Sequence, residues 1–413
     1  MRWRLIIYKI KRVYHLFKTG VFGGLIAEIQ SGWPQKKMVV AAITGTDGKT
    51  TTASLLHHLL TQSGIKTGLI TTLAAKIGNK EIETGLHVTN PQPKILFKLI
   101  KEMLEAGCTH VVLEMTSHGA YQFRNWGIKP QIGGITNIAH DHFDYHQNYS
   151  EYLKAKASLF KKTPLVWTNA KDKSFLKLQQ ILGNKIKAFS QKTYLPAEIN
   201  QAIHKRFEEK YNHLNAKLAT LMALELGAQK NKIPQAINSF LPIVGRMQSI
   251  ANQKKLNIIV DFAHTPQAVE STLNALRARR QKKESKIIAV LGSAGQRDVS
   301  KRPLMGKIAS KLADLVIFTA EDPRTENVWS IIGQLKSNLG KNHHKVLSIA
   351  DRGQAIYFAI NQLATAGDSV IIMGKGHEKS LCFGQTEYQW SDQETVKLAL
   401  ENKAAQLTTV INQ

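Results

Sequence analysis

The residues best equipped for chemistry are Ile43-Thr44-Gly45-Thr46-Asp47-Gly48-Lys49-Thr50-Thr51-Thr52. Gly45 and Gly48 let a backbone approach an anion closely, Lys49 adds a compact positive charge, and the Thr50 hydroxyl is placed to bind Mg²⁺. That set handles the phosphates of a nucleoside triphosphate. A strict phosphate loop has glycine where this chain has Ile43. Glu114 closes the apolar run Val111-Val112-Leu113 and opens onto Thr116-Ser117-His118-Gly119. A carboxylate at a strand's carboxyl end can reach a metal held by such a loop.

Thr136-Asn137-Ile138-Ala139 leads into His140-Asp141-His142-Phe143-Asp144-Tyr145-His146. Such crowding could form a transition-metal cluster, but the spacing matches no HExxH or other zinc pattern, and a nucleotide site calls for Mg²⁺. One imidazole reads as a metal ligand and the others as packing. Lys156, in Tyr152-Leu153-Lys154-Ala155-Lys156, reads from helix spacing alone as a surface charge. Later in the chain Asp261-Phe262-Ala263-His264-Thr265-Pro266, Gln296-Arg297-Asp298, Asp322-Pro323-Arg324 and Gly374-Lys375-Gly376-His377-Glu378 each follow an apolar run. Charged loops at several strand ends suggest a second substrate pocket facing the nucleotide.

These residues need strands and helices to hold them. Met38–Ile43 is an apolar run of strand length, and Leu55, Leu56, Leu59 and Leu60 recur at helical spacing after the glycines. A strand, a turn and a helix N-terminus follow one another, and free N–H groups at such a terminus favour an anion. Alternation of strands and helices continues to about Val244, with strands expected at 66–71, 110–114, 133–138 and 165–169. Helices are expected at 51–63, 93–106, 151–160 and 212–226. A second α/β unit is expected from Gly245, with strands at 257–261, 286–291, 315–319 and 369–373 and helices at 267–279, 303–313 and 353–366. The division is 1–37, 38–244 and 245–413, and the fold class is α/β with a largely parallel sheet in the middle part.

A chain of 413 residues holds two or three domains, and 43% hydrophobic with 21% charged residues describes a soluble globular protein. Net charge is +26 and the isoelectric point is near 9.9. Polyanionic small substrates, nucleic acid or an acidic membrane surface would each suit it. No zinc finger, helix-turn-helix or aromatic-interleaved basic module is present, which argues against nucleic acid. Cys108 and Cys382 make neither a disulfide framework nor a CxxC site, as expected in a reducing cytoplasm. No apolar run approaches the roughly 18–20 residues that span a bilayer, and the basic start lacks the core and cleavage site of a signal peptide.

Residues 1–37 stand apart. On a helix, Trp3, Ile6, Ile7, Ile10, Val13, Tyr14 and Phe17 form one stripe, with Arg4, Lys9, Lys11, Arg12 and Lys18 mostly elsewhere. Two readings stay open: a helix docked on the nucleotide domain, or an interfacial helix on anionic lipid through residues 1–18.

Taken in order, these segments resemble the Mur ligases of MurE type from Met38 to the C-terminus. Thr-Gly-Thr-Asp-Gly-Lys-Thr-Thr is that family's phosphate loop, which accounts for Ile43. Glu114–Gly119, Thr136–Asp144 and Tyr152…Lys156 are similar to its central signatures; Gly245-Arg246-Met247, Lys301–Gly306 and the charged loops above are similar to its C-terminal ones. The resemblance implies a phosphate-loop-type central domain and a smaller Rossmann-like C-terminal domain. It implies ATP on Gly45, Thr46, Asp47, Gly48, Lys49, Thr50 and Thr51, with Asn137, Arg246, Asp261 and His264 also at the nucleotide. Two Mg²⁺ are implied, one at Thr50 and Glu114, the other at His142 and a carbamylated Lys156. Thr89, Asn90, Thr116, Gln122 and Arg124 match positions that grip a muramoyl-dipeptide. Arg297, Asp322, Pro323, Arg324, Gly374 and Glu378 match the diamino-acid pocket, where Arg324 resembles the residue selecting meso-diaminopimelate.

The implied reaction is ATP-driven amide formation in cytoplasmic peptidoglycan-precursor synthesis, through an acyl phosphate and with Lys49, Glu114, His142 and Lys156 as the catalytic set. Asn90 stands where threonine is usual, and Asp322 where the diaminopimelate enzymes carry asparagine. The family ordinarily adds an N-terminal uridine-diphosphate domain of roughly a hundred residues, whereas only residues 1–37 precede this sheet. The expectation is reduced recognition of that carrier, or an acceptor presented on a lipid. A folylpolyglutamate-synthase-like ligase, a lipid-linked-muropeptide amidotransferase partner and a non-catalytic nucleotide switch are the alternatives; two cysteines cannot build the four-cysteine zinc ribbon of the second.

Overall fold

In the computed structural model the described residues are 2–82, 90–280, 282 and 284–405. They form two compact units: residues 1–139 with 146–241, and residues 140–145 with 242–413.

The first unit is built on an eight-stranded sheet: β1 Val39–Thr44, β2 Thr67–Ile70, β3 Ala75–Ile77, β4 Lys80–Ile82, β5 His110–Glu114, β6 Ile132–Ile135, β7 Leu165–Asn169 and β8 Ile186–Phe189. Their order is β4-β3-β2-β5-β1-β6-β7-β8, parallel except along β3, which runs antiparallel to β2 and β4. β1 is central and apolar because helices cover both faces of a parallel sheet. Ile43 lies level with Glu114 on one side and Gly134 on the other. The chain leaves β1 toward β2 and later crosses to β6 on the opposite side, so the carboxyl ends of β1, β5 and β6 flank a topological switch point, the usual place for a ligand in such sheets.

Helix Lys49–Gln62 follows β1 and fully buries Leu55, Leu56, Leu59 and Leu60, each worth roughly 1.5–3 kcal/mol. Helix Lys210–Glu225 packs beside it. β6 ends at Ile135 rather than at the expected 138, because Thr136 and Asn137 turn to bond the glycine loop. An unbroken helical run covers Arg2 to Ser31, with π-type hydrogen bonding over Leu16–Gly24. Its apolar stripe is exposed, not packed: Trp3 is 76% and Ile10 63% accessible.

The second unit holds β9 Gln248–Ile250, β10 Asn257–Asp261, β11 Ile287–Leu291, β12 Leu315–Phe318, β13 Val346–Ser348 and β14 Ser369–Met373, in the order β13-β12-β11-β14-β10-β9. Only β9 is antiparallel. A hairpin, β15 Ser380–Phe383 and β16 Thr386–Gln389, follows. The expected helix 353–366 is α-helical over Arg352–Phe358 and π-type over Ala359–Leu363. Arg352 and Asp392, both fully buried, form a fork of 2.7 and 2.8 Å. The same guanidinium donates to Ala320 O and Met373 O. This one side chain therefore ties the ends of β12 and β14, from which two charged loops spring.

Candidate active site

At the carboxyl end of β1 the chain makes the glycine turn. A Cβ on Gly45 would lie 1.8 Å from Thr136 Oγ1, and Gly48 has φ +81 with Asn215 Oδ1 2.4 Å from where a Cβ would sit. Neither position accepts a side chain. The 136–139 loop braces the turn: Thr46 N donates to Asn137 O (2.8 Å), Asp47 N to Asn137 Oδ1 (3.1 Å), and Thr136 Oγ1 to Asp47 O (2.6 Å). Thr46 Oγ1 accepts from Ala139 N and shares a hydrogen bond with Tyr152 OH. Lys49 Nζ bonds back to Thr46 O at 2.8 Å.

The other expected members of this edge meet here. Thr50 Oγ1 donates to Glu114 Oε2 at 3.0 Å, and Thr72, which the sequence reading missed, donates its N–H and hydroxyl to the same carboxylate. A hydroxyl inside an exposed-looking Thr-Thr pair after β2 carries no sequence signal. Glu114 is 1% accessible, and among the described residues no cationic side chain pairs with it. A carboxylate buried among hydroxyls suits a hard cation with oxygen ligands. Lys156, read from spacing as a surface charge, is buried; its Nζ donates to Gly45 O at 2.5 Å and lies 4.6 Å from the Tyr152 ring centre.

Asn90, Thr116, Gln122 and Arg124 form one network beside β5. Asn90 Oδ1 accepts from Thr116 N and Oγ1, both at 2.7 Å, and its Nδ2 donates to Glu114 O. Arg124 donates to Asn90 O and Gln122 Oε1. Asparagine in place of threonine thus gains a side chain that holds both the last residue of β5 and Thr116 just beyond it. Thr89 lies outside the described residues.

The fold takes apart the 140–146 crowd. His140–Tyr145 belongs to the second unit, where His140 Nε2 lies 2.9 Å from Ser300 Oγ and Phe143 N donates to Asp298 Oδ2. Lys301 Nζ pairs with Asp141 at 3.4 Å, and His142 Nε2 lies 3.2 Å from Asp141 Oδ2. His146 is buried in the first unit among Tyr8, Tyr121 and Tyr152. Among the described residues no three His, Cys, Asp or Glu side chains are grouped to hold a metal.

In the second unit Asp261 accepts from Met247 N, Ala263 N and Thr272 Oγ1, and burial raises its pKa. Burial first, then Lys301, holds His264 near pKa 4, so it is neutral at pH 7. Arg246 lies over the Phe262 ring at 4.3 Å. The diamino-acid candidates converge separately. Gly295 N donates to Asp322 O, and Arg324 Nη1 donates to Gly295 O at 2.7 Å. Burial, then the charge of Arg324, lowers the pKa of Arg297. Gln296, Asp322 and Arg324 all have positive φ, strain that such loops hold only when neighbours enforce it.

Lys375 is the enforcer that sequence reading passed over. It is fully buried, 2.7 Å from Asp322 Oδ1 and 2.6 Å from Glu378 Oε2. Its signal was a lysine between two glycines directly after an apolar strand. Beside it, Glu321 Oε2 has no hydrogen-bond partner among the described residues, and burial pushes its carboxyl up to about 7. A carboxyl raised in the fold favours the protonated native state, so this contribution is complete below the ordinary value of 4.5 and is lost as pH rises through about 7. Glu321→Gln is therefore expected to flatten the pH dependence of unfolding between those limits and to gain roughly 2–4 kcal/mol at pH 8 relative to the parent. Parallel urea-midpoint curves for parent and variant across that range would refute the assignment.

Both units match family models: residues 43–231 the Mur ligase middle domain, and residues 245–376 the Mur ligase glutamate ligase domain. UDP-N-acetylmuramoyl-L-alanyl-D-glutamate--2,6-diaminopimelate ligase of Phocaeicola vulgatus is 35% identical over 399 residues, covering 92% of this chain and 82% of that protein. The ligase of the same name from Aquifex aeolicus is 34% identical over 386 residues, covering 89% and 78%. A solved structure of a ligase of that name superposes with TM-score 0.56 at 27% identity, over 92% of this chain and 82% of that one. Escherichia coli FolC in complex with DHPP and ADP shares the fold, with TM-score 0.65 at 19% identity over 89% and 94%.

The chain belongs to the Mur ligase family. Members of this family are ATP-dependent ligases, and here the glycine turn, Lys49, Thr50 and Glu114 stand together at the carboxyl ends of β1 and β5. No helix among the described residues is long and apolar enough to cross a membrane.

Proposed function

We propose that this chain joins meso-diaminopimelate to the D-glutamyl carboxylate of UDP-N-acetylmuramoyl-L-alanyl-D-glutamate, converting ATP to ADP and phosphate. The observation that carries this is relatives of that one name aligned along 92% of the chain, with the Thr50–Glu114 pair intact beneath the glycine turn. In the first step a carboxylate oxygen of the acceptor attacks the γ-phosphorus, the bond to the β-phosphate oxygen breaks, and ADP leaves an acyl phosphate. In the second the amine attacks that carbonyl, phosphate departs, and the nitrogen loses a proton.

The glycine-turn N–H groups and Lys49 orient the triphosphate and offset charge on the transferring group. Thr50 and Glu114 would hold one Mg²⁺, and His142 and a carbamylated Lys156 would be ligands of a second; such ions, when bound, would supply charge neutralisation. Asn137, Arg246, Asp261 and His264 shape the nucleotide's surroundings. Thr89, Asn90, Thr116, Gln122 and Arg124 grip the acceptor. Arg297, Asp322, Pro323, Arg324, Gly374 and Glu378 receive the diamino acid, and the two guanidiniums of Arg297 and Arg324 suit an amino acid with two carboxylates. The setting is the cytoplasm, at the inner face of the membrane.

Purified protein is expected to release phosphate only when both muramoyl-dipeptide and diaminopimelate are present, with a product heavier than the acceptor by diaminopimelate less water. Steady hydrolysis without acceptor would point to a nucleotide switch instead. Arg324→Lys is expected to raise KM for diaminopimelate about 10–100-fold with little change in kcat, since an ammonium cannot fork a carboxylate. An unchanged KM would remove Arg324 from recognition.

A further inference from the structure

The helical run Arg2–Ser31 is held to the first unit by one face only. Tyr8 is buried with its hydroxyl 3.0 Å from His146 Nδ1, and its carbonyl accepts from Tyr121 OH. Further along, Gly20 and Gly24 are buried against Trp126, close enough that a Cβ would come within 2.8 and 2.5 Å of the indole. Ala27 and Glu28 are buried on the same side. The opposite side is apolar and uncovered among the described residues: Ile6, Ile10, Val13 and Phe17 are 44–63% accessible, and Phe22, Ile26 and Ile29 are 51–61% accessible.

The π-type stretch Leu16–Gly24 explains how two apolar groups share a face. Wider turns add residues per revolution. At α-helical spacing throughout, Phe22, Ile26 and Ile29 would fall nearly half a turn away from the Ile6–Phe17 stripe. With the wider turns they continue it, so one apolar face runs about 30–35 Å. That exceeds what scattered surface hydrophobics explain and marks an interaction site.

Charge selects the occupant. The first eighteen residues carry Arg2, Arg4, Lys9, Lys11, Arg12 and Lys18 and no acid. Lys9 and Lys11 are exposed and, by helical spacing, flank the stripe on its two sides. A second copy of this face would bring like charges together. An anionic bilayer surface accepts the apolar face among its acyl chains and the flanking ammonium groups among its headgroups. We infer that Arg2–Ser31 is an interfacial membrane-docking helix, lying in the plane of an anionic lipid surface with Tyr8, Gly20 and Gly24 turned to the protein. This site is independent of the ligase reading, so a catalytically inactive chain would bind equally well.

The test is flotation of the full chain with phosphatidylcholine vesicles, with and without phosphatidylglycerol, alongside sedimentation without lipid. At least about tenfold more protein is expected on the anionic vesicles. The triple variant Ile6→Ser, Ile10→Ser, Phe17→Ser is expected to lose at least nine-tenths of that binding with its Tm unchanged, because those positions are exposed. Lys9→Gln with Lys11→Gln is expected to lose the anionic preference. Undiminished binding by the triple variant would overturn the inference, since adsorption would then come from the overall +26 charge. Absence of vesicle binding, or a dimer that the triple variant dissolves without vesicle binding, would overturn it as well.

Discussion

Lys156→Ala is expected to lower turnover at least about 100-fold while leaving the protein folded, and bicarbonate is expected to restore part of the loss. The first half follows from position. Lys156 is 2% accessible, and its Nζ touches Gly45 O within the turn proposed above to receive the polyphosphate. Removing a charge that close to a transferring phosphoryl group forfeits stabilisation made only as charge builds there, an effect of several kcal/mol. The fold should survive, because a lost hydrogen bond to one carbonyl costs only about 1–3 kcal/mol. The second half separates two chemistries. If the working side chain is a carbamate, the truncated site leaves room for a small oxyanion to stand in as metal ligand; if it is an ammonium, bicarbonate cannot replace it. Near-normal activity of the variant, without rescue, would exclude Lys156 from the reaction altogether.

Lys375→Met is expected to destabilise the second unit by about 3–5 kcal/mol, because it strips the cation from buried Asp322 and half-buried Glu378. Burial alone would lower the lysine's pKa, but Glu378 and Asp322 outweigh it and raise it. The ammonium therefore stays charged throughout the working pH range. For a unit of this size that loss corresponds to a fall of roughly 10 °C in its Tm. Adding Asp322→Asn and Glu378→Gln to Lys375→Met should recover much of it, since the cost lies in the stranded charges rather than in lost volume. A fall of less than about 1 kcal/mol would mean that water already solvates the pair. The same contacts hold Asp322 at φ 42, so KM for the diamino acid is expected to rise with the destabilisation.

Strands with continuous apolar runs were legible without coordinates: β5, β7, β10 and β14 have the expected limits, and β1 differs by one residue at each end. Periodicity reports burial on both faces, and these strands are buried on both. β3 and β4 were missed because Lys76, Lys80 and Glu81 interrupt any pattern. The short edge strand β13 was missed for another reason: three residues are too few to show a pattern, and it is paired with β12. Helix starts were legible to within two residues where a proline or an Asn-x-x-Glu cap preceded an apolar repeat, as at Pro93 and Asn148.

Local order determined a good deal by itself: the glycine turn between strand and helix, the charged loops after apolar strands, and an amphipathic, basic start to the chain. These are matters of neighbours within about a dozen residues, and side-chain spacing encodes them. Tertiary structure alone decided that Lys156 is buried against Gly45, that Lys375 and not only Asp322 and Glu378 anchors the second pocket, and that His140–Tyr145 packs with the second unit while His146 stays in the first. It also decided which face of the first helix meets protein. Amphipathicity states that one side of a helix is apolar; which side is covered depends on partners such as Trp126 and His146, more than a hundred residues away, and no local pattern carries that information.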